Sequence, residues 1–251
     1  MSCIGTGKTV CISDRMMADR EASRSSAQPM LQLFVCRSSK LCEFMKGFQR
    51  QSVSEHDLLY TDFQSLKVFL EGIENICSGI ASAHSTKFDP TRQVTYSKFK
   101  AVIHPLINNS RRNGCLLDAS IVWTHFRGFI KGSVGCVYSD GLARSCPLTL
   151  EEYCKLPADR VKLDAAQRRQ VYALFERYES YLSDNGLWDE SGRVLSLFEV
   201  LMTTEIRDNN YTRRETQLYC NKIYVDEVLT CNTYLYCHVL HTTDLYILYC
   251  T

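Results

Sequence analysis

The stretch from Asp164 to Asn185 constrains the fold more than any other. Val171, Leu174, Phe175, Tyr178 and Leu182 recur at intervals of three and four, which places them on one side of an α-helix. A stripe this continuous must be buried against other elements, because helix propensity alone gives marginal stability in water. Gly186 follows as a C-terminal stop signal.

Other segments repeat the helical period. In "RSSKLCEFMKGFQR", Ser39 is a candidate cap, and Leu41, Phe44, Met45 and Phe48 share a side. "DFQSLKVFLEGI" (62–73) reads as an amphipathic helix ending near Gly72, and 78–94 reads as loop. "TYSKFKAVIHPLI" (95–107) is helical until Pro105 interferes. "DASIVWTHFRGFIKG" (118–132) has a cap at Asp118 or Ser120 and a glycine stop at 132. Thr149 and Glu152 form a capping box, and "SLFEVLMTT" (196–204) is a further short helix. Two apolar runs suit buried strands: "LQLFVC" (31–36) and "NKIYVDEV" (221–228), the second ending in two carboxylates. Residues 13–29 are polar, beginning as helix and continuing as linker.

The chain has 251 residues, 45% of them hydrophobic and 23% charged, enough to bury a sizeable core. Its net charge of +1 makes no electrostatic case for nucleic acid from the chain as a whole. The thirteen cysteines are scattered without a C-x-x-C pair, as expected of thiols in a reducing, intracellular setting. Cys231, Cys237, His238 and His241 lack the paired spacing of a zinc site. No run approaches the roughly 18 apolar residues of a membrane span. Trp123 and Trp188 are better suited to core than to stacking on bases, and His125 has no neighbouring nucleophile to activate.

Two short motifs carry the chemistry. "GTGKT" (5–9) reads as a phosphate-binding loop: glycines let backbone N–H groups face phosphate, Lys8 meets the β- and γ-phosphates, and Thr9 holds Mg²⁺. Ser2 stands where the full pattern has its first glycine. In "IYVDEV", Asp226 would ligate Mg²⁺ and Glu227 would orient the attacking water.

Together these motifs resemble the UvrD/Rep-type superfamily 1 helicases, whose ATP-binding half has G-x-x-G-T-G-K-T and later D-E-x-Q-D. "FVCRSSKLCEFMKGFQ" and "YESYLSDNGLWDESGRVLSLF" look like flanking segments of that half. "VTYSKFKAVIHPLI", "IVWTHFRGFIKGS", "LTLEEYCKL" and "VYALFERYESYL" look most like the helicase-like region of large TPR and ankyrin repeat-containing proteins.

The resemblance implies an α/β fold: an incomplete P-loop NTPase (RecA-like) core with a large, mainly helical insertion. The core would begin in 1–50, the insertion would occupy 51–215, and the acid-bearing strand would lie in 216–228. It implies ATP and Mg²⁺ as cofactors, bound by Ser2, Gly5, Thr6, Gly7, Lys8 and Thr9, with Thr9 and Asp226 on the metal and Glu227 catalytic. It also implies single-stranded DNA or RNA as partner and no membrane. The strand before the loop and a second ATPase half are absent, so weak nucleotide binding and negligible turnover are expected. Residues 229–251 match nothing in the family, and the expectation is that family sequence ends near Val228. The competing reading makes "TYLYCHVLH" and "DLYILYC" a pair of strands. A different class of function is a non-catalytic helical interaction module carrying degenerate motifs.

Overall fold

Five consecutive residues, Gln32–Cys36, are all buried, which suits a strand flanked on both edges and covered on both faces. This is β1 of a computed structural model that describes residues 8–23, 30–52, 60–80, 88–108, 117–139, 142–203, 222–226 and 244–247. The chain divides into two compact units, one formed by 1–80, 204–228 and 233–251 and the other by 81–203 and 229–232.

In the first unit, β1 pairs in parallel with β2 (Thr61–Ser65) on one edge and with β5 (Lys222–Asp226) on the other. A further strand, β6 (Asp244–Ile247), pairs in parallel with β5. The order is β2-β1-β5-β6. Among the described residues, three helices belong to this unit: α1 (Lys8–Ser23), α2 (Ser39–Ser52) and α3 (Leu66–Ile80). Ile12 and Met16 of α1, Cys42 and Met45 of α2, Phe34 and Cys36 of β1 and Tyr224 of β5 form one apolar cluster.

A buried polar network threads that core. The Arg20 guanidinium donates to Gln32 Oε1 (2.8 Å), Thr61 Oγ1 (2.8 Å) and Gln49 Oε1 (3.2 Å). Gln32 Nε2 donates to Tyr224 Oη, which itself donates to Asp19 Oδ2, each at 2.9 Å. Lys222 Nζ lies 3.0 Å from Asp19 Oδ1. Burial raises the Asp19 carboxyl pKa, but Lys222, Tyr224 and Arg15 outweigh it and hold the value below the ordinary one. Each polar member is satisfied by another, as burial requires.

The described residues of the second unit are mainly helical, with a short hairpin, β3 (Tyr138–Ser139) with β4 (Leu142–Ala143), and a bridge between Gln93 and Trp188. α4 (Tyr96–Lys98), a π-turn (Phe99–Ile103) and α5 (His104–Ile107) run on without a break. α6 (Ala119–Thr124) continues into a second π-turn, His125–Ile130. Then come α7 (Leu150–Cys154), α8 (Ala165–Asp184) and α9 (Glu190–Thr203). The rings of Phe99, Trp123, Phe126, Phe175 and Tyr178 fill the centre. Phe99 lies 4.8 Å from Trp123 and meets Tyr178 edge-on at 5.7 Å.

Several expectations hold. α8 carries the buried stripe Val171, Leu174, Phe175, Tyr178 and Leu182. Gly186 adopts φ +59°, the left-handed conformation of a helix stop. The Thr149–Glu152 capping box is present, and Asp118 caps α6 by accepting from Ser120 N at 2.7 Å.

Others are corrected. The expected α/β RecA-like P-loop core is not what forms: the described residues are mostly helical, with parallel strands of only four or five residues. Amphipathic segments of helical period dominate the described residues, so most of them pack as helices. Residues 62–65 are strand, drawn into register beside β1, and the following helix passes Gly72 to reach Ile80. Ser38, not Ser39, accepts from the first turn of α2, with its Oγ 3.3 Å from Leu41 N. Pro105 does not end its helix. His104 N bonds back to Phe99 O in the preceding π-turn, so Pro105 enters as if in a new first turn, where its missing donor costs little. In the 229–251 tail, Asp244–Ile247 is strand; "TYLYCHVLH" lies outside the described residues.

Gly132 owes its identity to crowding. A Cβ there would stand 2.1 Å from the backbone oxygen of Arg127. Gly132→Ala should therefore lower the unfolding free energy by about 1–3 kcal/mol through overpacking, read from urea melts. A change within error would refute the close approach.

Candidate interaction groove and buried ion cluster

The helix formed by α4, the first π-turn and α5 buries Phe99, Ile103 and Ile107. Its opposite side leaves Val102 at 47% and Leu106 at 56% exposure, high for branched apolar side chains. Leu106 and Ile107 form one wall of a groove of about 690 Å³, and α8 forms the other with Ala173, Glu176, Tyr181 and Asp184. Arg177 Nη1 donates to Ile107 O at 3.0 Å, tying the two walls together. The groove thus has one apolar wall, facing an α8 wall that carries two carboxylates, Glu176 and Asp184. Ile121 is 39% exposed on α6 of the same unit.

The unit also holds a cavity of about 640 Å³, lined in part by Phe88, Trp188, Leu182, Lys131, Glu179 and Asp189. Lys131 Nζ lies 2.8 Å from Asp189 Oδ2 and 2.6 Å from Glu179 Oε1. Tyr178 Oη donates to Asp189 Oδ2 (2.9 Å), and Gly192 N donates to Asp189 Oδ1 (2.7 Å). Burial pulls the Lys131 pKa down, but Asp189 and Glu179 outweigh it and leave it raised. Burial likewise pushes Asp189 up, and Lys131 outweighs it, so the carboxylate stays charged. Burial also raises Glu179, and there it prevails over Lys131. Two carboxylates against one ammonium make this wall unsuited to a phosphate.

Sequence reasoning missed this cluster. Its members come from the end of one helix, the middle of another and a connecting turn. One signal was legible: Asp189 three residues before Gly192 is a cap pattern, and Asp189 does accept the Gly192 N–H.

The expected nucleotide site is placed as follows. Ser2, Gly5, Thr6, Gly7 and Glu227 lie outside the described residues. Lys8 is the first residue of α1, and Thr9 follows it, half-buried. Asp226 is the last residue of β5, its backbone paired with Cys36. Among the described residues, no three His, Cys, Asp or Glu side chains group as metal ligands. Cys231, Cys237, His238 and His241 also lie outside them.

Trp123 is buried in the core as expected, whereas Trp188 is only half-buried. Trp123 packs on Phe99, while Trp188 meets Phe88 edge-on at 5.4 Å and donates from Nε1 to Asp89 O. No described helix is long and apolar enough to cross a membrane.

No family model matches the chain. Over 105 residues it is 32% identical to TPR and ankyrin repeat-containing protein 1 of Homo sapiens, a match covering 41% of this chain. The match spans 3% of the human protein's length. These findings overturn the helicase assignment, since no helicase family is found and the similar protein is named for repeats. Motifs of five and two residues arise too readily by chance to outweigh that. P-loop and ATP-binding readings fall with it, and nothing supports DNA or RNA as partner.

Proposed function

We propose that the chain is a non-catalytic, helical protein-interaction module. The observation that carries this reading is the exposure of Val102 and Leu106, with Leu106 and Ile107 forming the apolar wall of a groove. Apolar side chains left open at the lip of a helix–helix groove fit the helix-in-groove mode of recognition. The name of the similar human protein points the same way, because TPR and ankyrin repeats present extended binding surfaces. The occupant is an amphipathic helix with apolar anchors one turn apart and a basic residue facing Glu176 and Asp184.

A displayed library of amphipathic-helix peptides, selected on the full chain, tests this. Selected binders should carry apolar residues at i, i+3 or i+4, and i+7, and lose about tenfold or more in affinity against Leu106→Asp. That variant should melt like the parent, because Leu106 is largely exposed. Lys8→Ala should bind as the parent does. Binders indifferent to Leu106→Asp would sink the proposal.

A further inference from the structure

We propose, independently of the interaction groove, that Cys36 and Cys42 are a peroxide-oxidisable dithiol that closes reversibly into a disulfide. Their sulfurs lie 3.2 Å apart, closer than an ordinary packing contact between two thiols. Both are thiols in the structure, and both are buried, Cys36 fully and Cys42 to 6% exposure.

Local structure holds the pair together. Cys36 ends β1, and Cys42 sits in the first turn of α2. The turn between them is clamped by Ser38, whose O accepts from Cys42 N (3.1 Å) and lies 3.1 Å from the Cys36 sulfur. Closure therefore asks for side-chain rotation and little movement of the backbone.

The two thiols have unequal roles. A thiol near a helix N-terminus favours its thiolate. Cys42 sits in such a turn, and its pKa is lowered, chiefly by the hydrogen bond with Cys36 and against the effect of burial. Cys136 provides the contrast. It is buried with its thiol donating to Ile130 O at 3.0 Å, and burial pushes it up to about 12.

The chemistry balances with hydrogen peroxide as the oxidant. The Cys42 thiolate attacks one peroxide oxygen, an S–O bond forms, the O–O bond breaks, and hydroxide leaves to take up a proton as water. Cys36 sulfur then attacks Cys42 sulfur, the S–S bond forms, the S–O bond breaks, and a second water leaves. Two thiols give up two electrons, and one peroxide becomes two waters. The small oxidant suits a pair with so little exposure.

The test is a peroxide titration of the full chain, with thiol alkylation and peptide mass spectrometry. A Cys36–Cys42 linkage should be the first product, forming about tenfold or more faster than the thiols of Cys136 and Cys146 are lost, and dithiothreitol should reverse it. Cys36→Ser should stop the reaction at a Cys42 sulfenic acid trapped by dimedone. In urea the preference of the unaltered chain for this pair should vanish, a readout that needs no variant to fold. Oxidation of the native chain that shows no preference for the pair would overturn the proposal. So would a preference that survives in urea.

Discussion

Lys131→Met lowers the free energy of unfolding by about 3–5 kcal/mol, the cost of leaving a buried charge without its partner. The substitution keeps the length of the side chain, so the loss reports charge rather than packing. Asp189 is 1% exposed at its side chain and held by Lys131 at 2.8 Å. Without the ammonium, its remaining support comes from Tyr178 and Gly192. Urea unfolding at neutral pH reads the effect. Adding Asp189→Asn should return part of the stability, because a neutral amide can lose the cation at smaller cost. If the single variant falls by less than about 1 kcal/mol, the cluster is not the buried ion pair described above.

Acidification from about pH 7 to about pH 5 should remove about 2 kcal/mol of stability through one imidazole. His125 is buried, with Nδ1 2.7 Å from Tyr153 Oη. Burial, aided by the Arg168 cation, lowers its pKa to about 4. Above the ordinary histidine range both folded and unfolded states are neutral, and the contribution is fully present. As pH falls through that range toward about 4, the unfolded chain takes up a proton that the folded one refuses, and stability is lost. His104, also lowered by burial, adds in the same direction. Urea melts at the two pH values measure the loss, and His125→Gln should flatten the slope. A slope unchanged in that variant would move the cause elsewhere.

How much was legible follows from how local each cause is. α8 could be read because its stripe and its Gly186 stop lie within a few residues of what they control. β1 could be read because Leu33, Phe34, Val35 and Cys36 are an unbroken apolar run, which suits burial on both faces. β2 could not. "DFQS" has no strand pattern of its own and becomes extended because Thr61–Ser65 pairs with β1.

The candidate sites divide in the same way. That Leu106 would stay open while Ile107 became a groove wall depends on where α8 lies, and periodicity alone cannot supply that. Lys131 and Asp189 are 58 positions apart, and only the fold makes them partners. The phosphate-loop reading failed for the opposite reason. It took a short local pattern as evidence of a global arrangement, and the mostly helical chain does not provide it.

Arg168 makes the segment between α7 and α8 unlike an ordinary connection. Its guanidinium donates to four backbone oxygens: Leu163 from Nε, Cys154 and Leu156 from Nη1, and Val161 from Nη2. One rigid fork thus does for an irregular stretch what a ladder of amides does for a helix. The strand of chain from Cys154 to Leu163 is consequently sewn to the first turn of α8, and the two cannot come apart one at a time. Anything that frays that end of the long helix releases the neighbouring coil with it.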